Sequence, residues 1–127
     1  MKALVLREVK QSLQIEQQPD LEPGEGEVAV RLHAAALNRR DFWITKGMYP
    51  GIRTPVVLGS DGAGVVAQVG PSGDDLWLNQ EVVINPGWEW GDHEAAQHRE
   101  FHILGMPTQG TFAGRVVVPQ KYLHRKP

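Results

Sequence analysis

The run Pro55-Val-Val-Leu-Gly-Ser-Asp-Gly-Ala-Gly-Val-Val-Ala-Gln-Val-Gly70 decides how the rest of the chain is read. Two short apolar runs, Val56-Val57-Leu58 and Val65-Val66, flank a segment whose backbone is left bare by Gly59, Gly62 and Gly64. β-branched residues favour strands, and glycine admits the torsions that a sharp bend or a close backbone approach demands. Gly62-Ala63-Gly64-Val65-Val66-Ala67 also matches the glycine pattern of dinucleotide-binding loops, with Glu81 at a suitable distance for a ribose-binding acid. That pattern works only where the glycines open a helix whose first amides hold a pyrophosphate. Here Val-Val-Ala-Gln-Val follows and Gly70-Pro71 closes it, which reads as a strand. The stretch is expected to form a glycine-rich bend between two strands of a barrel-like sheet.

The chain around it is consistent with that expectation. Its 127 residues suit one domain with a real core, and fourteen Gly and nine Pro among few helix-forming runs favour a mainly β fold. A formal net charge of −2, with both signs interspersed, gives no pull toward nucleic acid or anionic membrane. The absence of cysteine excludes disulfides, thiolate metal sites and cysteine nucleophiles. Without a leader-like start or a long apolar run, a soluble, cytoplasmic protein is expected.

Outward from the central stretch, Met1 to Arg7 and Leu13 to Gln17 read as strands, and Pro19 to Gly26 as a polar loop. From Glu27 to Leu37 a period of two sets Val28, Val30, Leu32 and Ala34 on one face. Asn38 then suits the N-cap of a short helix that Gly47 would end in a left-handed conformation. Pro71 to Asn79 is expected to be a turn and exposed segment, Glu81 to Asn85 a strand, and Gly110 to Pro119 a return to strand. Pro86 to Gln109, rich in Trp, His, Glu and Gly, lacks periodicity and exceeds an ordinary connection, so it is either a structured lobe or an active-site loop.

The order of these pieces resembles the N-terminal, GroES-like substrate domain of the medium-chain dehydrogenase/reductase superfamily, over essentially residues 1–127. The resemblance rests on Pro23-Gly-Glu-Gly-Glu-Val-Ala-Val-Arg31, Ala36-Leu37-Asn38 with Asp41, Gly47-Met-Tyr-Pro50, the central stretch, and Gly110-Thr-Phe-Ala113 with Val116-Val-Val-Pro119. It implies a partly open β-barrel with short helices, and a Rossmann cofactor domain that follows in sequence. In zinc-dependent members a cysteine and a His-Glu pair hold the catalytic ion; this chain has Asn38 and Ser60-Asp61 there. Zinc takes thiolate, imidazole or carboxylate, so no zinc is expected. The family's four-cysteine structural zinc lobe falls in Pro86 to Gln109, where Trp88 and Trp90 are candidates to pack what cysteines would fasten.

The resemblance then implies the catalytic and substrate-binding half of an NADPH- or NADH-dependent oxidoreductase. Hydride would pass without a metal to a small carbonyl compound, a quinone or an enone. Asn38 is the candidate to meet nicotinamide or substrate, Tyr49 to donate to substrate oxygen, Trp43 to wall the pocket, and Ser60 and Asp61 to contact substrate. Blander roles stand beside these: Asn38 as a cap, Asp41 as a structural acid at a helix start, Tyr49 as packing, Trp43 as core. The cofactor would be held mainly by the following domain, so the isolated chain is expected to be inactive and to bind NADPH weakly or not at all. Two other functions are open: a non-catalytic binding or assembly module on the same barrel, and a metal-binding protein using Asp92, His93, Glu94, His98 and His102, of which only His98 and His102 share helical spacing.

Overall fold

The computed structural model describes residues 1–73 and 75–127; Asp74, inside the segment expected to be exposed, lies outside the described residues. Among these residues the chain runs through β1 (Lys2–Leu6), β2 (Gln14–Gln17), β3 (Glu27–Ala36), α1 (Arg39–Thr45), β4 (Val56–Val57) and β5 (Asp61–Val69). β6 (Glu81–Ile84), β7 (Gly87–Trp88), β8 (His102–Ile103), β9 (Arg115–Pro119) and β10 (Leu123–Arg125) follow. Pairing is antiparallel throughout: a five-stranded sheet in the order β10-β6-β5-β3-β9, a three-stranded sheet β2-β1-β4, and a ribbon β7-β8.

Residues 110–114 join the two larger sheets. The Gly110 and Phe112 amides donate to the Val57 and Leu58 carbonyls at 2.7 and 2.9 Å, and Leu4 N donates to Phe112 O at 2.8 Å. Two residues on, Leu32 N donates to Gly114 O at 3.0 Å, so one segment is stitched to β4, β1 and β3 in turn. The result is the mainly β, partly open barrel expected. Its largest core cluster packs Val28, Val30, Val66, Val82, Ile84, Trp88, Leu104, Val116, Val118 and Leu123. Burying each such aliphatic side chain contributes about 1.5–3 kcal/mol before entropy is counted.

The glycine-rich stretch differs from expectation in where it bends. The turn is confined to Leu58 to Ser60, and β5 already begins at Asp61, so Gly62 and Gly64 lie inside a strand. Gly64 is needed there because β3 presses its backbone against it: a Cβ would overlap the Arg31 carbonyl. The antiparallel pairing with β3 leaves no helix after the glycines, as the strand reading required.

β3 keeps its two-residue period only in part. Val28, Ala29 and Val30 are all buried, and register shifts at Ala29/Val30 and Leu32/Ala34 turn the second half toward solvent. The strand β10 was not read from Tyr122 to Pro127; it pairs with β6 through Leu123↔Ile84 and Arg125↔Val82.

Pro86 to Gln109 is a lobe with its own ribbon. Trp88 is buried and lies parallel to Tyr122 at 5.2 Å, while Trp90 meets Phe101 edge-on at 5.2 Å. Glu89 Oε1 accepts from the Tyr122 hydroxyl at 3.2 Å and pairs with Lys121 Nζ at 3.4 Å. The hydrogen bond from Lys121 is the main cause that holds the Glu89 carboxyl below its usual value, and Glu89 in turn raises Lys121.

Candidate functional site

The site is assembled where the end of β3 and the beginning of β5 meet, at one end of their ladder, and at the start of α1. The last rung of the ladder pairs Ala36 with Asp61, which brings Asn38, two residues on, beside that carboxylate. Asn38 adopts extended torsions, φ −121° and ψ 153°, and occupies the N-cap of α1 as its residue type predicted. At the far end Gly47, φ +75°, donates to Ile44 O at 3.0 Å and Met48 N to Trp43 O at 2.9 Å. These two bonds are the Schellman arrangement, so Gly47 ends the helix as read.

Five hydrogen bonds close a circuit through the site. The Asn38 side-chain nitrogen donates to Asp61 Oδ2 at 2.8 Å. Asn38 N donates to Asp41 Oδ2 at 2.9 Å, and Gly59 N to Asp41 Oδ1 at 3.2 Å. Thr111 N donates to Gly59 O at 2.9 Å, and the Thr111 hydroxyl to Asp61 O at 2.8 Å, which returns to the starting carboxylate's own residue. Asp41 and Thr111 are buried, so the circuit ties the helix start, the bend and the 110–114 segment into one unit. A carboxylate only accepts, so the orientation of the Asn38 amide follows from its partner.

Gly59 makes the circuit possible. Its φ is +102°, and a Cβ would sit 2.6 Å from both Thr111 Oγ1 and Phe112 Cδ1. Ser60, the next residue, is 5% exposed, and its hydroxyl oxygen has no hydrogen-bond partner among the described residues.

The other two candidates are not members of this circuit. Tyr49 packs beside Leu6, Ile44, Val56, Leu58 and Met106, and its hydroxyl accepts from Arg40 Nε at 3.1 Å. The same guanidinium lies 4.9 Å from the centre of the Tyr49 ring and donates to Met106 O at 2.5 Å. Trp43 is 43% exposed and meets Phe42 edge-on at 5.1 Å, so the core reading of this tryptophan does not hold. Its i+1 neighbour Ile44 is the residue that turns inward. With Leu37, Phe42 and Met48 also exposed, α1 carries an apolar outer surface. A groove of about 630 Å³, lined by Val5, Leu21, Val57, Gln109, Arg115 and Val117 among others, contains none of the five candidate residues.

Sequence reasoning missed Thr111 and Arg40. Thr111 was read only as part of the Gly110-Thr-Phe-Ala113 motif, with no role given to it; its neighbour Gly110 packs its Cα side against the Leu58 and Gly59 carbonyls. Arg40 was hidden in a charged Arg-Arg-Asp run.

The donor set does not fit zinc. The Asn38 nitrogen that faces Asp61 is an amide donor with no free lone pair, and Ser60 offers a hydroxyl rather than imidazole. Among the described residues no group of three or more His, Cys, Asp or Glu side chains is placed to hold a metal ion. In the lobe, His98 Nδ1 accepts from Glu100 N at 3.1 Å and the His102 ring packs against Trp88.

Residues 24–127 match the model of the alcohol dehydrogenase GroES-like domain. Over 103 residues the chain is 39% identical to a zinc-type alcohol dehydrogenase-like protein of Schizosaccharomyces pombe, covering 80% of this chain and 30% of that protein. It is 41% identical over 83 residues to the acryloyl-coenzyme A reductase of Sulfurisphaera tokodaii, covering 65% of this chain and 25% of the reductase. The crystal structure of an NAD-dependent alcohol dehydrogenase superposes with a TM-score of 0.90 at 42% identity, over 100% of this chain and 40% of the other. The chain thus spans less than half the length of these relatives. The matched family model, the curated relatives and the shared fold agree: the chain belongs to the alcohol dehydrogenase GroES-like family, as the N-terminal domain type of the medium-chain dehydrogenases/reductases.

Proposed function

We propose that this chain is the substrate-binding and catalytic half of a nicotinamide-dependent oxidoreductase that transfers hydride to a quinone or enone without a metal, in the cytoplasm. The observation that carries the reading is the 2.8 Å bond from the Asn38 amide to Asp61, since it commits to each other two of the positions to which the family resemblance assigns zinc ligands. The family supports redox chemistry, and one relative is named for reducing acryloyl-coenzyme A, whose acryloyl group is a conjugated alkene.

NADPH or NADH supplies the hydride when bound, and a following Rossmann domain is the partner proposed to hold most of it. The glycines of β5 do not fit a pyrophosphate, because they are filled by the Arg31 backbone and by the Thr111 and Leu32 side chains. The chain's own part lies at the substrate end. Because the Tyr49 oxygen accepts from Arg40, the phenolic proton is left to donate to a substrate oxygen. Hydrogen-bond donors of this kind stabilise charge that develops on oxygen as hydride is added. Leu37, Phe42 and Trp43 give a flat ligand an apolar surface to rest on, and Ser60 and Asp61 supply polar contacts.

The test uses a polypeptide of the relatives' length that contains this chain. It is assayed for NADH and NADPH oxidation with a panel of quinones, enones and aldehydes, with its metal content measured in parallel. Turnover of quinones or enones by metal-free protein is the expected result. Activity that appears only with stoichiometric zinc would overturn it. Binding of cofactor to the 127-residue chain alone with a micromolar constant would show that the chain carries the cofactor site itself.

A further inference from the structure

The strand β9 is paired on one edge only. Its ladder with β3 runs from Glu27↔Pro119 to Arg31↔Arg115 without a register shift, and among the described residues no strand lies on its other side. Two flanking bonds, Leu32 N to Gly114 O at 3.0 Å and Gln120 N to Gly26 O at 2.9 Å, fix which residues turn inward. Backbone groups alternate along an antiparallel ladder, so Val116 and Val118 give theirs to β3 while Arg115, Val117 and Pro119 turn theirs away. Pro119 has no N–H, which leaves two outward donors, on Arg115 and Val117.

Those donors open into the groove of about 630 Å³. Arg115, Val116 and Val117 all line it, although consecutive side chains of a strand point to opposite faces; the groove therefore runs along the strand's edge, with backbone as its floor. Its far wall is already satisfied. Val57 N donates to the Gln109 side-chain oxygen at 2.8 Å, and Val57 O accepts from Gly110 N at 2.7 Å. The groove is the open seam of the barrel: up to Gly114 the chain is stitched to β4 and β1, and beyond it the chain leaves them to follow β3. Both sides of the seam are apolar, with Val116 and Trp88 of the core cluster on one and Val117 on the other.

The charges along the seam are unbalanced. The Met1 ammonium and Arg7 pair with Asp20 and Glu16, and Arg115 donates to the Leu21 carbonyl and the Gln68 side chain. Glu22 accepts from the Gln68 amide and Glu27 from Gly24 N, but neither has an ion pair among the described residues. Two carboxylates thus face one guanidinium.

We infer that the β9 edge is a docking site for an extended segment of another protein, which adds as a sixth strand and brings a lysine or arginine to Glu22 and Glu27. In strand addition main-chain bonds supply affinity and side chains supply choice, and here the choice is apolar residues flanked by positive charge. Each described strand already has its place in a sheet, so no described segment fills the seam. The β9 edge of a second copy is recessed in a groove of its own and does not pair with it. The inference goes beyond the redox reading and is independent of it, because the groove holds none of the residues given to hydride transfer.

Amide exchange followed by nuclear magnetic resonance on the 127-residue chain tests this, with acetyl-Lys-Val-Thr-Val-Lys-amide as the probe and acetyl-Glu-Val-Thr-Val-Glu-amide beside it. Without peptide, the Arg115 and Val117 amides exchange faster than those of Val116 and Val118. The lysine peptide is expected to slow both outward amides about tenfold, the scale of one backbone hydrogen bond, and to leave the inward pair unchanged. It binds about fivefold more tightly than the glutamate peptide, a gap that narrows in high salt. N-methylation of the threonine, or of both valines, removes alternate backbone donors, and at least one of the two analogues loses binding. Val117→Pro removes an outward donor and weakens the lysine peptide about tenfold. Glu22→Gln with Glu27→Gln erases the preference over the glutamate peptide, and serves if Val117→Pro does not fold. No slowing at millimolar peptide, equal binding of the two peptides, or binding kept by both N-methylated analogues overturns the assignment. So does protection of Arg115 and Val117 without peptide: protection that grows with protein concentration marks a second copy, and protection present only in a polypeptide of the relatives' length marks its own chain.

Discussion

Replacing Asp41 by asparagine tests whether the site is held together as one unit. The carboxylate accepts from Asn38 N at 2.9 Å and Gly59 N at 3.2 Å, one bond to each oxygen. An asparagine has one acceptor and one donor end, so whichever way it turns, an amide N–H faces an NH₂ group. At a residue 5% exposed, water does not replace the lost acceptor. An unsatisfied buried donor costs about 1–3 kcal/mol, and Asp41→Ala, which strands both, about twice that. For a domain of this size, a loss of about 2 kcal/mol lowers the melting temperature by roughly 6–10 °C. The assay is urea and thermal unfolding followed by circular dichroism, with exposed Glu25→Gln as a control expected within about 0.5 kcal/mol. Amide exchange at Asn38 and Gly59 should accelerate selectively in Asp41→Asn. If that variant is as stable as the parent and both amides stay protected, the circuit does not hold the site.

Gly59→Ala should cost about 2–4 kcal/mol, from positive-φ strain and overpacking together, read as a shift in the urea midpoint; a neutral result would mean that Phe112 and Thr111 yield easily. Trp88→Ala removes a buried ring stacked on Tyr122 and should cost about 3–5 kcal/mol, with loss of ordered signals across the 86–109 lobe first. The Glu89–Lys121 pair gives a signed pH dependence. Because Glu89 is held below its ordinary 4.5, its contribution is present above that value and fades as pH falls through the folded-state pKa. Because Lys121 is raised above 10.5, its contribution is present below that value and fades as pH rises through its folded-state pKa. Tryptophan fluorescence of the lobe should therefore separate parent from Glu89→Gln at neutral pH and not in strong acid; a difference that survives acidification would refute the pairing.

The fold was legible where side-chain pattern and backbone demand coincide. Val56-Val57 and Val65-Val66 flag strands by shape, and Asn38 and Gly47 flag the two ends of a helix by their backbone preferences. What was not legible depends on contacts between distant residues. The true limit of the bend is set by how closely Arg31 approaches Gly64, and nothing local announces that approach. The buried Ala29 breaks the period of two because a register shift follows it, and bulges leave no composition signal. Trp43 looked like core by type, yet in a seven-residue helix only the positions of Asp41 and Ile44 face inward. In the site, Asn38, Ser60 and Asp61 were found by analogy of position, whereas Thr111 and Arg40 act through partners 50 and 66 residues away.

The energetics of the circuit bear on what would hold such a site together under the proposed metal-free reading. The Asn38–Asp61 bond lies at an exposed edge, where a hydrogen bond contributes on the order of 1 kcal/mol or less, so stability alone gives little reason for it. The bonds that do matter to stability are the buried one from Gly59 N to Asp41 and the partly buried one from the Thr111 hydroxyl to the Asp61 carbonyl, which lie behind the exposed pair. A metal ion fixes its ligands by strong bonds at a reacting face; the face proposed here is fixed from the rear by neutral backbone donors and one buried carboxylate. Variants in the rear should therefore lose stability and function together, while Asn38→Ala should keep the fold and lose function. That asymmetry separates a positioning amide from a structural one, and equal losses in both classes of variant would contradict it.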